Sequence, residues 1–166
     1  MSTISVRPGA VGDHPALARI FRRASLSNAS DREALLAHPE ALELSEDLIA
    51  GGRVRVAEFA DGTVAGFAGT RWTADGVWEL DDLFVDPAAM RRGVARELIR
   101  CLTVEAASEH VTRIEVAANP HAMGFYRAAG FVPDNSVATE FGPGRRMDLD
   151  VPVARLVNEA GSPRSS

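Results

Sequence analysis

The chain has 166 residues, of which 46% are hydrophobic and 25% charged, the range of one globular domain able to bury a real core. Its net charge is 18 − 23 = −5. That argues against non-specific nucleic-acid binding, which rests on phosphate neutralisation, and it is compatible with a cationic small substrate. No lysine occurs, so all 18 basic residues are arginine, which excludes a P-loop, a Schiff-base enzyme and lysine-centred catalysis.

No apolar run approaches the ~18 residues of a membrane span. The opening MSTISVRPGA lacks a basic stretch followed by an apolar one, so no signal peptide is expected and the cytoplasm is the expected compartment. The single cysteine, Cys101, allows no disulfide framework and no cysteine zinc site, and its place beside an apolar stripe reads as a small buried hydrophobe. His14, His38, His110 and His121 have no metal-ligand spacing, and no metal is expected.

Residues 4–7 read as a strand closed by Pro8-Gly9. Asp13 is placed to cap a helix with Pro15 in its first turn, and Leu17, Ile20, Phe21 and Ala24 form its apolar stripe. Ser25 to Ser30 reads as a polar loop. Ser30 and Glu33 have capping-box spacing for a second helix, which Pro39 interrupts and Gly51-Gly52 stops. Three strands follow: Val54 to Phe59, Val64 to Trp72 and Val77 to Val85. Asp61-Gly62 and Asp75-Gly76 join them as an antiparallel meander.

From Arg91 to Glu109 the period becomes helical, with Val94, Leu98, Leu102 and Glu105/Ala106 on the stripe. Residues 112–118 return to a strand, so strand, helix and strand form a right-handed βαβ crossover with parallel strands. Asn119 is placed to cap a helix with Pro120 at its first position and Gly130 at its end. Two further strands fit 131–141 and 145–151. The expected organisation is one α/β domain with a mixed sheet over residues 1–157 and a frayed polar tail at 158–166.

The most informative segment runs from Asp82 to Arg96: a buried strand ends, a short loop follows, and a helix opens at Arg-Arg-Gly-Val-Ala. A helix N-terminus offers unpaired N–H groups and about half a positive charge. Gly93 and Ala95 let a ligand touch the backbone, and Arg91, Arg92, Arg96 and Arg100 add positive charge. Those features suit a pyrophosphate. A plain strand–loop–helix with a solvated arginine face would carry the same residues.

This segment resembles the core signature of the GNAT acyltransferase superfamily, Gln/Arg-x-x-Gly-x-Gly/Ala after an apolar strand. Met90-Arg-Arg-Gly93-Val-Ala95 aligns with it and departs from it at Met90. About 25 residues further on, Asn119-Pro-His-Ala-Met-Gly-Phe125-Tyr126-Arg-Ala-Ala-Gly130-Phe131 is similar to the family's Asn…Ala…Phe-Tyr-x-x-x-Gly-Phe segment. The resemblance is strongest over 54–132, and the order of elements extends it to about 151. It implies a GNAT-like fold whose central parallel strands splay apart around acetyl-CoA.

By that resemblance, the backbone of Leu83, Phe84 and Val85 pairs with the pantetheine amides. The N–H groups of Arg91, Arg92, Gly93, Val94, Ala95 and Arg96 hold the pyrophosphate, and Arg91 or Arg92 reaches the adenosine phosphate. Asn119 either bonds the cofactor arm or serves only as a local cap. The family transfers the acetyl group directly to an amine in a ternary complex, with a backbone N–H stabilising the oxyanion. Tyr126, the only tyrosine, is the expected general acid toward the departing thiolate, with packing as its other reading. Asp81 and then Glu79 are the expected bases, Asp82 lying on the opposite strand face unless a bulge shifts the phase. The alternative is that these carboxylates only attract a cationic acceptor. The loop 25–31 is expected over the acceptor side. Trp72 and Trp78 either floor that pocket or pack in the core.

The resemblance therefore implies an N-acetyltransferase acting on a primary amine of a small molecule or peptide. The rival from another class is a non-catalytic acyl-CoA sensor, which would share the phosphate cradle. Nucleic acid and membrane are not expected partners. Dimers are common in the family, and the sequence carries no mark for one.

Overall fold

A computed structural model describes residues 3–134 and 145–152. The chain divides into two compact units, residues 1–71 with 79–101, and residues 72–78 with 102–166.

The first unit begins with strand β1 (Ile4–Pro8) and helices α1 (His14–Leu26), α2 (Ala29–Ala37) and α3 (Asp47–Ala50). Strands β2 (Val54–Phe59), β3 (Val64–Ala74) and β4 (Val77–Val85) follow, and then helix α4 (Val94–Ser108). β1 pairs antiparallel with β2, and β2 with β3. Asp61-Gly62 makes the β2–β3 turn, with Gly62 at φ +85° and Asp61 Oδ1 accepting from the Thr63 amide at 2.9 Å. The stripe of α1 lands as its spacing predicts: Leu17 and Ile20 are fully buried against Ile49, Val54, Val56 and Phe67. Phe21 and Phe84 meet edge-on at 4.8 Å, which fastens α1 to the end of β4.

Two local expectations change. The stretch 25–30 is mostly helical, because α1 runs on to Leu26 and α2 starts at Ala29. The cap of α2 is Asn28, not Ser30: its Oδ1 accepts from the Ser30 amide at 3.1 Å and from the Ser30 hydroxyl at 2.7 Å. Asp13 precedes α1 as expected, but its carboxylate reaches back to the Ala10 amide and to Arg7 instead of capping the helix.

The second unit holds the β3–β4 hairpin tip, the end of α4, β5 (Arg113–Ala118), α5 (Met123–Ala128), β6 (Val132–Pro133) and β7 (Arg145–Asp150). β7 pairs antiparallel with both β5 and β6. The hairpin tip is tied to β5 by the Thr112 amide, which donates to the Gly76 carbonyl at 2.7 Å. Ile114, Val116 and Ala118 alternate into the core with Met147 and Phe131. The strand expected at 131–141 is short, ending at Pro133. Residues 135–144 and the expected tail at 158–166 lie outside the described residues.

Candidate active site

The loop from β4 to α4 is built by its own chemistry. Asp86 Oδ1 accepts from the Ala88 amide at 3.0 Å and so caps a 3-10 turn over Pro87–Ala89. The backbone then turns left-handed at Arg91 (φ +64°) and again at Gly93 (φ +83°), and α4 starts only at Val94, three residues later than its period suggests. A left-handed arginine costs about 1–3 kcal/mol, and such strain gathers where a ligand is bound. Alternating right- and left-handed residues aim successive N–H groups into one concavity, which suits an anion. The first-turn amides of Val94, Ala95 and Arg96 have no helical acceptor. A Cβ built on Gly93 would meet nothing within 4 Å, so the space over the loop is open. These residues fit a diphosphate group.

The arginines divide. Arg91 and Arg96 are exposed. The Arg92 guanidinium lies 3.9 Å over the Phe59 ring, a cation–π contact that anchors the loop to the β2–β3 hairpin. Met90 is 58% exposed and takes no part in the core. Leu83, Phe84 and Val85 form the last residues of β4. Gly66 passes close enough that a Cβ would sit 2.7 Å from the Phe84 carbonyl oxygen.

The carboxylates of β4 are arranged differently from simple alternation. Arg71 Nη2 binds Glu79 at 2.7 Å, and Arg71 Nε binds Asp81 at 2.9 Å. A Cβ on Gly69 would meet Asp82 Oδ2 at 2.9 Å and Leu48 at 3.4 Å. Gly69 and Arg71 are two apart on β3 and share a face. Glu79, Asp81 and Asp82 therefore share that face too, which requires β4 to slip by one residue between Asp81 and Asp82 as a β-bulge does. Of the two arrangements open from the sequence, regular alternation and a bulge, the contacts of Gly69 and Arg71 favour the bulge.

The three acids differ in environment. Glu79 and Asp81 are held by Arg71, whereas the Asp82 side chain has no hydrogen-bond or ion-pair partner among the described residues. Burial, with Asp81 beside it, pushes Asp82 up to about 6 from 3.8. The bases expected from the sequence are Asp81 and then Glu79, without Asp82, and a bulge is a backbone feature that side-chain alternation does not report.

Tyr126 stands in the second unit. Tyr126 is the buried residue of α5, at 7% exposure. Its ring packs edge-on against Phe125 at 5.3 Å and Phe131 at 5.2 Å. Burial pushes its hydroxyl up to about 12. The helix ends as a Schellman motif: the Phe131 amide donates to the Tyr126 carbonyl and the Gly130 amide to that of Arg127, with Gly130 at φ +103°. Asn119 does not cap α5 directly. Its Oδ1 accepts from the Ala122 amide at 2.9 Å and shapes the turn before the helix, so α5 begins at Met123 and not at Pro120. Trp72 and Trp78 meet edge-on at 5.7 Å, and Trp78 is buried in packing.

Among the described residues no group of three His, Cys, Asp or Glu side chains is gathered to hold a metal ion, and no helix is long and apolar enough to cross a membrane.

Comparison with known proteins meets this geometry. Solved structures similar to the chain include the PaiA N-acetyltransferase of Thermoplasma acidophilum in complex with coenzyme A. It is 17% identical with a TM-score of 0.71, covering 89% of this chain and 99% of that one. The ribosomal-protein-S18-alanine N-acetyltransferase of Escherichia coli is 23% identical with a TM-score of 0.63, covering 90% and 94%. The N-acetylglutamate synthase of Neisseria gonorrhoeae, complexed with coenzyme A and L-arginine, is 19% identical with a TM-score of 0.67; the match covers 91% of this chain and 34% of that one. At these identities the likeness is one of fold. None of the curated proteins matches the chain. The model of the acetyltransferase (GNAT) family matches residues 18–131, well over half the sequence, and the chain belongs to that family.

Proposed function

We propose that the protein is an acetyl-CoA-dependent N-acetyltransferase whose acceptor is a primary amine of a small molecule or peptide carrying positive charge. The observation that carries this reading is the left-handed turn through Arg91 and Gly93, open above Gly93 and leading straight into α4. Acetyl-CoA supplies the activated acetyl group. The amides of Arg91, Arg92, Gly93, Val94, Ala95 and Arg96 bind its diphosphate. The backbone of Leu83, Phe84 and Val85 takes the pantetheine as an added strand. Asn119 acts by shaping the turn that delivers Tyr126.

The acceptor arrives as an ammonium ion and must lose a proton before its nitrogen can attack. Asp82 takes that proton, directly or through water. Its raised position near 6 matches a base working near neutrality. Glu79 and Asp81, both paired with Arg71, supply the negative field that attracts the cation. As the new C–N bond forms and the C–S bond breaks, Tyr126 gives its hydroxyl proton to the leaving sulfur, and the second proton shed by the acetylated nitrogen returns through water to the Tyr126 oxygen. A hydroxyl held up to about 12 keeps that proton across the working pH range.

Thiol release from acetyl-CoA, measured against polyamines, aminoglycosides, amino acids, arylalkylamines and N-terminal peptides, tests the reading. Turnover on a cationic class supports it. Acetyl-CoA binding with no turnover on any amine would favour an acyl-CoA sensor instead.

A further inference from the structure

Asp86 is one of two charged residues that are buried among the described residues, at 8% exposure, and it stands at the root of the turn that leads to Arg91 and Gly93. Its amide donates to the Ala65 carbonyl at 2.8 Å, and its own carbonyl accepts from the Ala89 amide at 2.7 Å. One carboxylate oxygen caps the turn at Ala88; the other receives Arg23 Nη1 at 3.2 Å. Arg23 comes from the last turn of α1 and is half-exposed.

Two physical demands meet at Asp86. The turn needs an acceptor for the Ala88 amide, which an acidic side chain satisfies well. A negative charge at the root of an anion-binding loop nevertheless repels the anion, and in a partly buried site that repulsion is weakly screened. On one side the loop is backed by an open cavity of about 420 Å³, lined by Phe59, Asp61, Asp86, Ala89 and Arg92. Packing alone therefore leaves that side unsupported.

We infer that Arg23 is a positioning residue for acetyl-CoA: it neutralises Asp86 and braces the turn from α1, so that the loop presents its amides to the diphosphate with no opposing charge beneath them. The inference rests on the acetyl-CoA reading above and extends it to a helix outside both sequence motifs. Arg23 does not touch the cofactor in this account, so its effect falls on affinity and leaves the chemical step alone.

Calorimetry of acetyl-CoA binding to the full chain tests it, with wild type, Arg23→Gln, Arg23→Lys, Asp86→Asn and the Arg23→Gln/Asp86→Asn pair. Arg23→Gln should weaken binding about fivefold, a coupling of the size seen between groups in one network, with kcat unchanged. Arg23→Lys should recover most of that loss. The double variant should return to within about twofold of wild type, because the asparagine amide oxygen still caps Ala88 and no charge remains to neutralise. A merely structural Arg23 would give no recovery in the double variant. Wild-type affinity in Arg23→Gln, or equal losses in the single and double variants, overturns the inference while leaving the acetyl-CoA reading intact. A wild-type protein that does not bind acetyl-CoA overturns both.

Discussion

Gly69 on β3 faces Asp82 on β4 so closely that a Cβ on the glycine would lie 2.9 Å from Asp82 Oδ2. The contact holds the acid half-buried and, with the Arg71 contacts, locates the slip in β4 that brings Glu79, Asp81 and Asp82 to one face. The Gly69→Ala variant should fold normally, since the atom that must yield is the tip of a side chain. It should displace the carboxylate and lower kcat about tenfold, roughly the effect of misplacing a general base. Unchanged kcat with a shifted melting temperature would show that the close approach serves packing only.

Asp82 makes a prediction of definite sign. Its folded value of about 6 lies above the ordinary 3.8, so the folded chain binds the proton more tightly than the unfolded one. Its contribution to stability is fully present below 3.8 and is lost as pH rises through about 6. Asp82→Asn should therefore be more stable than wild type at about pH 8, by about 1 kcal/mol once its partial exposure is allowed for, with no gain near pH 4. In rate measurements the wild type should gain kcat/KM through an apparent pKa near 6, and the variant should lose that limb. Denaturant melts and pH–rate profiles read the two effects separately.

Tyr126 can be followed alone, because the chain has one tyrosine. Ultraviolet titration of tyrosinate should show a midpoint near 12 and not the ordinary 10. Tyr126→Phe keeps the edge-on contacts with Phe125 and Phe131, so acetyl-CoA affinity should hold while kcat falls about a hundredfold. A full rate in Tyr126→Phe would remove the hydroxyl from the mechanism and leave the ring as packing.

The sequence made the fold legible where one local rule governed each element. Asp61-Gly62 turned the chain where expected, Leu17 and Ile20 reached the core, and Gly130 ended α5 with a left-handed residue. The failures came where two rules competed. Asn28 took the cap from Ser30 because its side chain could accept from both the amide and the hydroxyl of Ser30. Asn119 kept its spacing but spent its oxygen on a turn, which moved α5 three residues on.

Most of the candidate site was visible as two motifs, since phosphate binding by backbone amides leaves a mark in small residues. The face of Asp82 stayed open between two arrangements, because strand alternation predicts side-chain faces only while the register is regular. Arg23 carried no signal at all: its partner is 63 residues away, and only the fold joins them.

Titration of acetyl-CoA into the wild-type chain and into Gly93→Val tests the central claim most directly. In the proposed reading the open space above Gly93, at φ +83°, admits a diphosphate to the amides, and a branched side chain would strain the one and fill the other. The account predicts saturable binding by the wild type and a loss of at least about tenfold in the variant, the scale of one strained residue and one blocked contact. Failure of the wild type to bind acetyl-CoA, or equal affinity in the folded variant, would contradict it.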